Sequence, residues 1–314
     1  MKQVLEATVV KNAGSHYLLS AASAWAPFPA VLKGKVRLDG GSSTNPIAVG
    51  DRVRCELDST PTEENPAQIA EILPRSNCVV RKSTNLSRRS QVIAANVDRA
   101  VVVSTLYFPR IKLPFLDRML VSCGVFGVPA VIVLNKTDIY GAEAADEIQD
   151  FRRIYESAGY RVIETSVRSG RGIDSLRELC SSGLSLLTGE SGVGKSSIIK
   201  ALDGNLNPKV GKISDAHLQG RHTTSLYEMY PLESGGFVID SPGLRSFGLV
   251  DLKPEETALY FPEMLRLSAD CRFIPCTHTH EPGCAVKAAL ERGEISPERY
   301  SSYLGMLEED RKFR

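Results

Sequence analysis

Two patterns of hydrophobic and polar residues divide the chain. The first covers residues 1 to about 75, where short stretches of strand character alternate with turn residues, most clearly where Val53, Cys55 and Leu57 are separated by charged residues. These stretches are residues 7–10, 17–19, 31–38, 53–57 and 69–73. Such a series is typical of a small closed barrel, and the oligonucleotide-binding (OB) fold is the commonest of that size. An SH3-like barrel fits the periodicity equally, and a spacer domain is the alternative to an RNA-binding one.

From residue 94 onward, apolar runs alternate with segments of helical spacing. Residues 100–103 and 130–134 are apolar runs of the kind that forms buried strands, and between them Leu116, Met119 and Cys123 recur at helical spacing. This alternation predicts βαβ units and a mostly parallel sheet covered by helices. The expected domains are a barrel over residues 1–75, an α/β domain over residues 76–250 and a C-terminal domain over residues 251–314.

A glycine-rich motif follows an apolar run inside the expected α/β domain. Residues 189–196 fit the P-loop pattern G-x-x-x-x-G-K-[ST]. Its glycines let successive backbone N–H groups point at phosphate oxygens, and the helix that follows adds favourable potential. We expect Lys195 to reach the β- and γ-phosphates and the Ser196 hydroxyl to bind Mg²⁺. The predicted phosphate-binding residues are Gly189, Glu190, Ser191, Gly192, Val193, Gly194, Lys195, Ser196 and Ser197.

The apolar run 130–134 leads into Asn135-Lys136-Thr137-Asp138, which matches the N-K-x-D signature of GTPases. The Asp138 carboxylate can accept hydrogen bonds from N1–H and N2–H of guanine, a donor pair that adenine lacks, and a site built for those groups rejects the base without them. Asn135 can bond the base edge or tie its loop to the phosphate loop, and the stem of Lys136 can lie over the base. The position suits a nucleotide site, because ligands of open α/β sheets bind at strand ends.

Three further polar stretches are expected to complete a GTP site. A threonine-serine pair after the next strand fits the loop that closes over guanine in GTPases. A threonine pair after the P-loop could supply the switch threonine that senses Mg²⁺ and the γ-phosphate. Residues 240–243 form a D-x-x-G, whose aspartate would hold Mg²⁺ through water and whose glycine N–H would face the γ-phosphate. These candidates are Thr165, Ser166, Thr223, Thr224, Asp240 and Gly243.

The order of these motifs indicates a circular permutation. In most GTPases the phosphate loop comes first and N-K-x-D comes late, whereas here Asp138 precedes Gly189. Such a rearrangement is physically acceptable when the original termini lie close together. The segment after Gly243 would then lead directly into the C-terminal domain, so that nucleotide state could be transmitted there.

The C-terminal domain contains a candidate metal site. Cys271, Cys276, His278 and Cys284 supply three thiolates and an imidazole within a short segment, and in a reducing compartment such crowding indicates a metal rather than disulfides. Zinc favours this set, with four protein ligands in a tetrahedral structural site. His280 is an alternative to His278 as the fourth ligand.

The chain end is expected to be helical and to pack on the metal loop or a neighbouring domain. Ser296 and Pro297 are typical of an N-cap and a first helical residue, and Tyr300, Tyr303 and Leu307 follow at helical spacing.

Composition and sequence pattern argue against three broad classes of protein. With 42% hydrophobic residues, 24% charged residues and a net charge of +1, the chain as a whole is not a polybasic nucleic-acid binder, so any RNA contact must come from local patches. Its apolar runs fall short of the roughly 18 residues of a membrane span. The first residues lack the apolar core of a signal peptide. We therefore expect a cytoplasmic protein without membrane attachment.

A small barrel, a permuted GTPase and a Cys-Cys-His-Cys loop, in that order, make the sequence resemble the RsgA family, also called YjeQ or YloQ, over nearly its whole length. The resemblance implies a multi-domain α/β protein with an N-terminal OB-type β-barrel, a central circularly permuted P-loop GTPase domain and a C-terminal zinc-binding helical domain. It further implies a cytoplasmic GTP hydrolase with Mg²⁺ and one structural Zn²⁺, stimulated by the small ribosomal subunit and acting late in its maturation. The barrel and zinc domains would contact ribosomal RNA, and we expect a monomer.

An alternative interpretation of the same motifs is that the protein is an RNA-binding adaptor, which binds GTP without significant turnover. Retention of Lys195, Ser196 and Asp240 disfavours this reading, because a merely structural site need not keep the apparatus for Mg²⁺ and the γ-phosphate.

The sequence departs from the family pattern in two places, and its catalytic residue is a hypothesis. Ser241 stands where the family usually has Thr. The barrel is poorly matched and contains an insertion-like stretch at residues 38–47, so its RNA contacts cannot be carried over. Many GTPases orient the attacking water with Gln directly after D-x-x-G, but this chain has Leu244. We expect His222 to approach the water when the ribosome orders its loop; a local capping or packing role is the alternative.

Overall fold

The computed structural model describes residues 3–21, 25–34, 47–82, 90–206, 227–241 and 252–312. The strands in these ranges are β1 (Gln3–Ala13), β2 (His16–Ala21), β3 (Phe28–Leu32), β4 (Arg52–Leu57), β5 (Ala67–Ile72), β6 (Cys78–Lys82), β7 (Ser90–Ala95), β8 (Arg99–Ser104), β9 (Ala130–Leu134), β10 (Arg161–Glu164), β11 (Leu184–Gly189), β12 (Tyr227–Pro231) and β13 (Phe237–Asp240). The α-helices are α1 (Leu113–Val125), α2 (Ala145–Ala158), α3 (Ile173–Cys180), α4 (Lys195–Leu202), α5 (Pro262–Ser268), α6 (Ala285–Glu291) and α7 (Pro297–Lys312). Short 3₁₀ helices span Thr137–Ile139, Ala142–Ala144 and Pro254–Tyr260.

The first five strands close into a barrel. Their order is β1-β2-β3-β5-β4, and β4 pairs back with β1. This is the strand order of the OB fold, so the predicted OB-type barrel is confirmed and the SH3-like alternative is excluded. Alternate side chains point inward, as the sequence pattern requires, and Val9, Leu19, Val53 and Ile69 are fully buried in one cluster.

The position of the third barrel strand differs from the prediction. A strand was expected at residues 31–38, whereas β3 spans Phe28–Leu32 and residues 35–38 lie outside the described ranges. The earlier start includes Pro29, which pairs with Leu18 of β2. Proline lacks the N–H that a central strand needs, so a sequence pattern places it outside strands, although positions that do not donate to the ladder accept it.

Strands β8 to β13 form the α/β sheet, in the order β10-β9-β8-β11-β13-β12. Every neighbouring pair is parallel except the edge pair of β12 and β13. Helices α1 and α2 pack on one face against Val102 and Ile132, and α3 and α4 pack on the other against Val101, Val133 and Leu187. The predicted, mostly parallel sheet covered by helices is confirmed. The ends of β8, β9, β11 and β13 lie at one edge, where their loops can share a ligand.

The barrel and the α/β sheet are joined into one continuous sheet. The end of β1 pairs antiparallel with β12, with Lys11 opposite Glu228, and the side chains of these two residues form an ion pair at 2.8 Å. The rings of Trp25 and Phe237 add a contact across the same junction, with centroids 5.6 Å apart. The barrel is therefore fastened to the strand next to β13, which carries Asp240 at its end.

The C-terminal helices pack on α1 of the α/β domain. Phe261, Met264 and Tyr303 share a buried cluster with Val121 of α1. Helix α7 begins at Pro297, as predicted for the tail. The domain limits at residues 75/76 and 250/251 stay predictions. Among the described residues, no helix combines the length and the apolar character that a bilayer crossing requires.

A buried ion network holds α7 against α1. Arg299 donates from Nη1 to Oδ1 of Asp117 at 2.7 Å and from Nε to Oε1 of Glu263 at 2.7 Å. All three side chains are almost completely buried. The guanidinium also lies over the ring of Phe261, 4.5 Å from its centroid. One cation therefore ties a helix of the C-terminal region to a helix of the α/β domain.

Candidate nucleotide site and metal centre

The predicted phosphate loop connects β11 to α4, the strand-loop-helix order that the motif requires. Gly189 and Gly194 have φ values of +147° and +98°. A Cβ atom at Gly189 would collide with the carbonyl oxygen of Val103, and one at Gly194 would lie 2.5 Å from Nδ2 of Asn135. Glycine is therefore required at both positions, by backbone conformation and by the close approach of neighbouring strand ends.

Lys195 lies inside the phosphate loop. Its ammonium donates to the carbonyl oxygens of Gly189 at 3.0 Å and Glu190 at 2.8 Å. Burial disfavours the charged form and lowers the pKa of Lys195 to about 8, although the carboxylates of Asp240 and Glu190 oppose this shift. An anion brought to this loop would favour the charged form.

The two side chains predicted to hold Mg²⁺ lie next to each other. The hydroxyl of Ser196, at the start of α4, lies 3.5 Å from Oδ2 of Asp240, at the end of β13. Burial raises the pKa of Asp240 to about 6, and Lys195 and Ser196 counteract this increase. A hydroxyl and a carboxylate are oxygen ligands of the kind that Mg²⁺ prefers. Ser241, which stands where the family usually has Thr, uses its hydroxyl to donate to the carbonyl of Leu187 at 2.7 Å.

The loop that carries the N-K-x-D motif, residues 135–138 and here called the guanine loop, is fastened to the phosphate loop through Asn135. Its side-chain amide donates to the Val193 carbonyl at 2.9 Å, and its Oδ1 accepts from the Thr165 hydroxyl at 3.0 Å. Of the two roles considered for Asn135, this geometry favours the tie between loops. The Ser166 hydroxyl donates to Oδ1 of Asp138 at 2.7 Å and so orients the carboxylate expected to bind guanine.

Lys136 and Thr137 are held by backbone carbonyls. The Lys136 ammonium donates to the carbonyl oxygens of Phe108 at 2.6 Å and Gly192 at 2.7 Å. The Thr137 hydroxyl donates to the carbonyl of Thr165 at 3.1 Å. Sequence reasoning missed Phe108, because it contributes a backbone atom that no residue type specifies. Its location after a buried strand of the sheet was the available indication.

The remaining predicted residues are either in or next to the phosphate loop or outside the described ranges. Within the phosphate loop, Val193 is buried, Glu190 is half-buried and Ser191 is exposed. Ser197 is exposed on the first turn of α4. Four predicted residues lie outside the described ranges: His222, Thr223, Thr224 and Gly243.

The four predicted zinc ligands converge. Ligand atoms of Cys271, Cys276, His278 and Cys284 all lie within 4.8 Å of one another. The Cys271 and Cys284 sulfur atoms are 4.0 Å apart, and Nδ1 of His278 lies 3.6 Å from the first and 3.4 Å from the second. A tetrahedral zinc with bonds of about 2.3 Å to sulfur and 2.0–2.1 Å to nitrogen gives ligand separations of about 3.5–3.8 Å. The donor set therefore fits one zinc ion, and the three separations among Cys271, His278 and Cys284 lie within about 0.2 Å of these values.

The alternative fourth ligand, His280, lies outside this cluster. Its side chain is exposed, and its Nδ1 lies 2.9 Å from the Thr279 hydroxyl. His278 is buried and contributes Nδ1 to the cluster. The geometry therefore favours His278 as the ligand.

A second layer of hydrogen bonds holds the metal loop in shape. The hydroxyls of Tyr300 and Tyr303, on α7, donate to the carbonyls of His278 and Thr277, each at 2.6 Å. The Glu281 carboxylate accepts from the Thr277 N–H at 2.8 Å, from its hydroxyl at 2.6 Å and from two further backbone N–H groups. Burial alone would raise the pKa of Glu281, but these hydrogen bonds outweigh it and lower the pKa to about 2.

Comparison with known proteins places this architecture in a family. The model of the RsgA GTPase family matches residues 72–250. The proteins named small ribosomal subunit biogenesis GTPase RsgA from Bacteroides fragilis (strain YCH46) and Porphyromonas gingivalis (strain ATCC 33277) are each 41% identical to this chain. The first similarity covers 99% of both chains, and the second covers 98% of this chain and 97% of the relative.

Two solved structures support the same family assignment. The crystal structure of YjeQ from Thermotoga maritima matches with a TM-score of 0.78 and 30% identity over 98% of both chains. The structure of YloQ, a circularly permuted GTPase, matches with a TM-score of 0.70 and 28% identity over 99% of this chain and 96% of YloQ. The resemblance seen in the sequence is thus confirmed over the barrel, the α/β domain and the metal loop. The chain belongs to the RsgA GTPase family.

Proposed function

We propose that this protein hydrolyses GTP in the late maturation of the small ribosomal subunit and that the subunit stimulates the reaction. The observation that carries the proposal is the convergence of Lys195, the Ser196–Asp240 pair and the Asp138 carboxylate at one edge of the sheet. The link between Asn135 and Val193 makes the guanine and phosphate loops a single unit. Relatives that match nearly the whole chain carry the name small ribosomal subunit biogenesis GTPase.

The proposed roles follow from the chemistry of each group. The phosphate loop binds the β- and γ-phosphates through backbone N–H groups and Lys195. Ser196 and Asp240 would hold Mg²⁺, which neutralises charge that develops on the phosphate oxygens when it is bound. Asp138, oriented by Ser166, accepts from guanine and excludes adenine. The cluster of Cys271, Cys276, His278 and Cys284 would hold one structural zinc.

The residue that orients the attacking water is proposed to be His222. Leu244 follows the D-x-x-G, and its side chain cannot hydrogen-bond to water, so we expect the side chain of another residue to supply this contact. His222 belongs to the polar segment between the P-loop and Asp240, and Thr223 and Thr224 of this segment are proposed to sense Mg²⁺ and the γ-phosphate, with Gly243. Binding of the small subunit would bring His222 to the water, so hydrolysis by the free protein would be slow.

The barrel and the zinc region are the proposed contacts with ribosomal RNA. Barrels of OB type use the face of their second and third strands to bind oligonucleotides. The net charge of +1 requires such contacts to be local. We further propose that the protein acts as a monomer in the cytoplasm, where it would meet the maturing subunit.

The test is GTP turnover with and without salt-washed small ribosomal subunits, with Lys195→Ala as the blank and large subunits as the control for nonspecific RNA effects. We expect a large increase that only small subunits produce and that His222→Ala removes. Tight GTP binding without stimulated turnover would favour the adaptor instead. An unchanged stimulated rate in His222→Ala would exclude His222 from catalysis while leaving the GTPase proposal intact.

A further inference from the structure

A buried hydroxyl connects the guanine loop to a neighbouring loop that none of the GTPase motifs includes. Tyr140 follows the N-K-x-D motif and is 8% exposed. Its hydroxyl donates to the carbonyl of Asn135 at 2.6 Å and accepts from the N–H of Leu106 at 2.9 Å. Leu106 belongs to the β8–α1 loop, residues 105–112, so one side chain uses both its donor and its acceptor to join two segments.

The β8–α1 loop is itself in contact with the guanine loop. Its Phe108 carbonyl accepts from the Lys136 ammonium at 2.6 Å. The loop is kept compact by the Thr105 hydroxyl, which donates to the Pro109 carbonyl at 2.8 Å. One of the two carbonyls that hold Lys136 is therefore placed by a loop whose attachment to the guanine loop includes the Tyr140 hydroxyl.

The backbone on both sides of this contact needs such support. Phe108 has φ of +58° and Lys136 has φ of +63°, a backbone conformation that residues other than glycine rarely adopt. Residues in this region persist where the surrounding structure holds them, and they concentrate at ligand sites. Without the Tyr140 hydroxyl, the N–H of Leu106 and the carbonyl of Asn135 would lose a buried partner at the place where this support is needed.

We propose that Tyr140 is a positioning residue of the guanine site. Its hydroxyl fixes the β8–α1 loop against the guanine loop, and the Phe108 carbonyl then helps to fix Lys136, whose stem is expected from the sequence to lie over the base. This inference rests on the proposed function. Burial raises the pKa of Tyr140 to about 12, so the hydroxyl keeps the proton that it donates to Asn135 throughout the neutral range. Tyr140 acts through Lys136 and does not itself touch the nucleotide.

Tyr140→Phe removes only the hydroxyl. The ring packs edgewise on the ring of Tyr107, with centroids 5.6 Å apart, and phenylalanine keeps this contact. The matched control is Tyr107→Phe, which removes from the same aromatic pair a hydroxyl that bonds to the exposed carboxylate of Glu147. The control loses one exposed hydrogen bond and leaves the buried bridge intact.

The measurement is the affinity of each variant for a fluorescent GDP analogue, by equilibrium titration and by dissociation rate. We expect Tyr140→Phe to weaken binding of the GDP analogue about tenfold, because a buried hydrogen bond at the site is lost. Most of the effect should be faster dissociation. Tyr107→Phe is expected to bind within twofold of the wild type. A Tyr140→Phe affinity that equals that of the control would overturn the proposal.

A double-mutant cycle with Lys136→Ala separates positioning from a general structural role. If Tyr140 acts through Lys136, its removal will have little further effect on affinity in the Lys136→Ala background. Effects that simply multiply would show that Tyr140 does not act through Lys136, and this too would overturn the proposal. Failure of the wild-type protein to bind GDP would count against the proposed function, whereas equal binding by wild type and Tyr140→Phe would count against this inference alone.

Discussion

Arg299→Met is expected to loosen the C-terminal helices from the α/β domain. The substitution keeps much of the aliphatic volume but removes the cation that faces Asp117 and Glu263. Arg299 and Asp117 side chains are each 1% exposed and that of Glu263 is 4% exposed, so water cannot replace the lost partner. Removal of one member of a buried ion pair costs about 3–5 kcal/mol, because the remaining charge is left uncompensated.

The assay is hydrogen exchange of backbone amides in α1 and α7. A cost of about 3–5 kcal/mol corresponds to exchange faster by roughly two to three and a half orders of magnitude, if opening of the α1–α7 contact limits exchange. The matched control is Arg292→Met, which removes an arginine paired with Glu294 on the surface, where both side chains are more than half exposed. Pairs of that kind contribute about 0–1 kcal/mol.

The effect of Arg299→Met also depends on pH in a defined direction. Burial raises the pKa of Asp117, with Arg299 opposing this effect, so loss of Arg299 raises that pKa further. A carboxyl group with a folded pKa above its unfolded value costs stability as pH rises through the folded pKa, and the cost disappears when the group is protonated. The difference between wild type and variant should therefore shrink as pH falls toward about 4, near the unfolded pKa of Asp.

Two results would refute this reasoning about the ion network. The first is exchange in Arg299→Met no faster than in Arg292→Met. The second would come from a triple variant that adds Asp117→Asn and Glu263→Gln to Arg299→Met. Because the penalty comes from uncompensated charge, these neutral partners should restore much of the lost protection from exchange. If they recover none of it, the cost lies in packing rather than in electrostatics.

Two other contacts lead to expected outcomes. Glu281→Ala should weaken zinc binding about 10–100-fold, since residues that hydrogen-bond around a metal site have effects of that size. Competition with a chelator measures the zinc affinity, and the control is Glu294→Ala, which removes an exposed carboxylate. Equal zinc affinities of the two variants would contradict this prediction. Ser166→Ala should raise the dissociation constant for GDP about tenfold, because the hydroxyl makes a charge-assisted hydrogen bond that orients Asp138. Titration beside Ser181→Ala, which loses an exposed hydroxyl after α3, checks this, and equal constants would contradict it.

The site motifs could be predicted because their chemistry is local in sequence. The phosphate loop needs glycine at positions 189 and 194, where a side chain would collide with neighbouring atoms. The metal loop supplies its four ligands from one short segment. Apolar runs and helical spacing sufficed for the parallel sheet. These features depend on residue type, and residue type is what a sequence records.

The features that escaped prediction depend on contacts between distant segments. The pairing of β1 with β12 joins Lys11 to Glu228, and no local pattern specifies that register. Arg299 would be expected on a solvated helix face from its type alone, whereas its partner Asp117 comes from α1. The carbonyl of Phe108 is a backbone group that every residue possesses. Such contacts become visible only when the fold brings the segments together.

The most direct test of the central claim is subunit-stimulated turnover of GTP and of xanthosine triphosphate by wild type and by Asp138→Asn. Xanthine carries a carbonyl where guanine has its N2 amino group, so an asparagine amide can donate where the Asp138 carboxylate would accept. If this is a guanine-specific hydrolase with Asp138 at the base, the variant will lose stimulated GTP turnover and gain it with the xanthine nucleotide. Undiminished GTP turnover in Asp138→Asn, or no stimulation by small subunits with either nucleotide, would contradict the account.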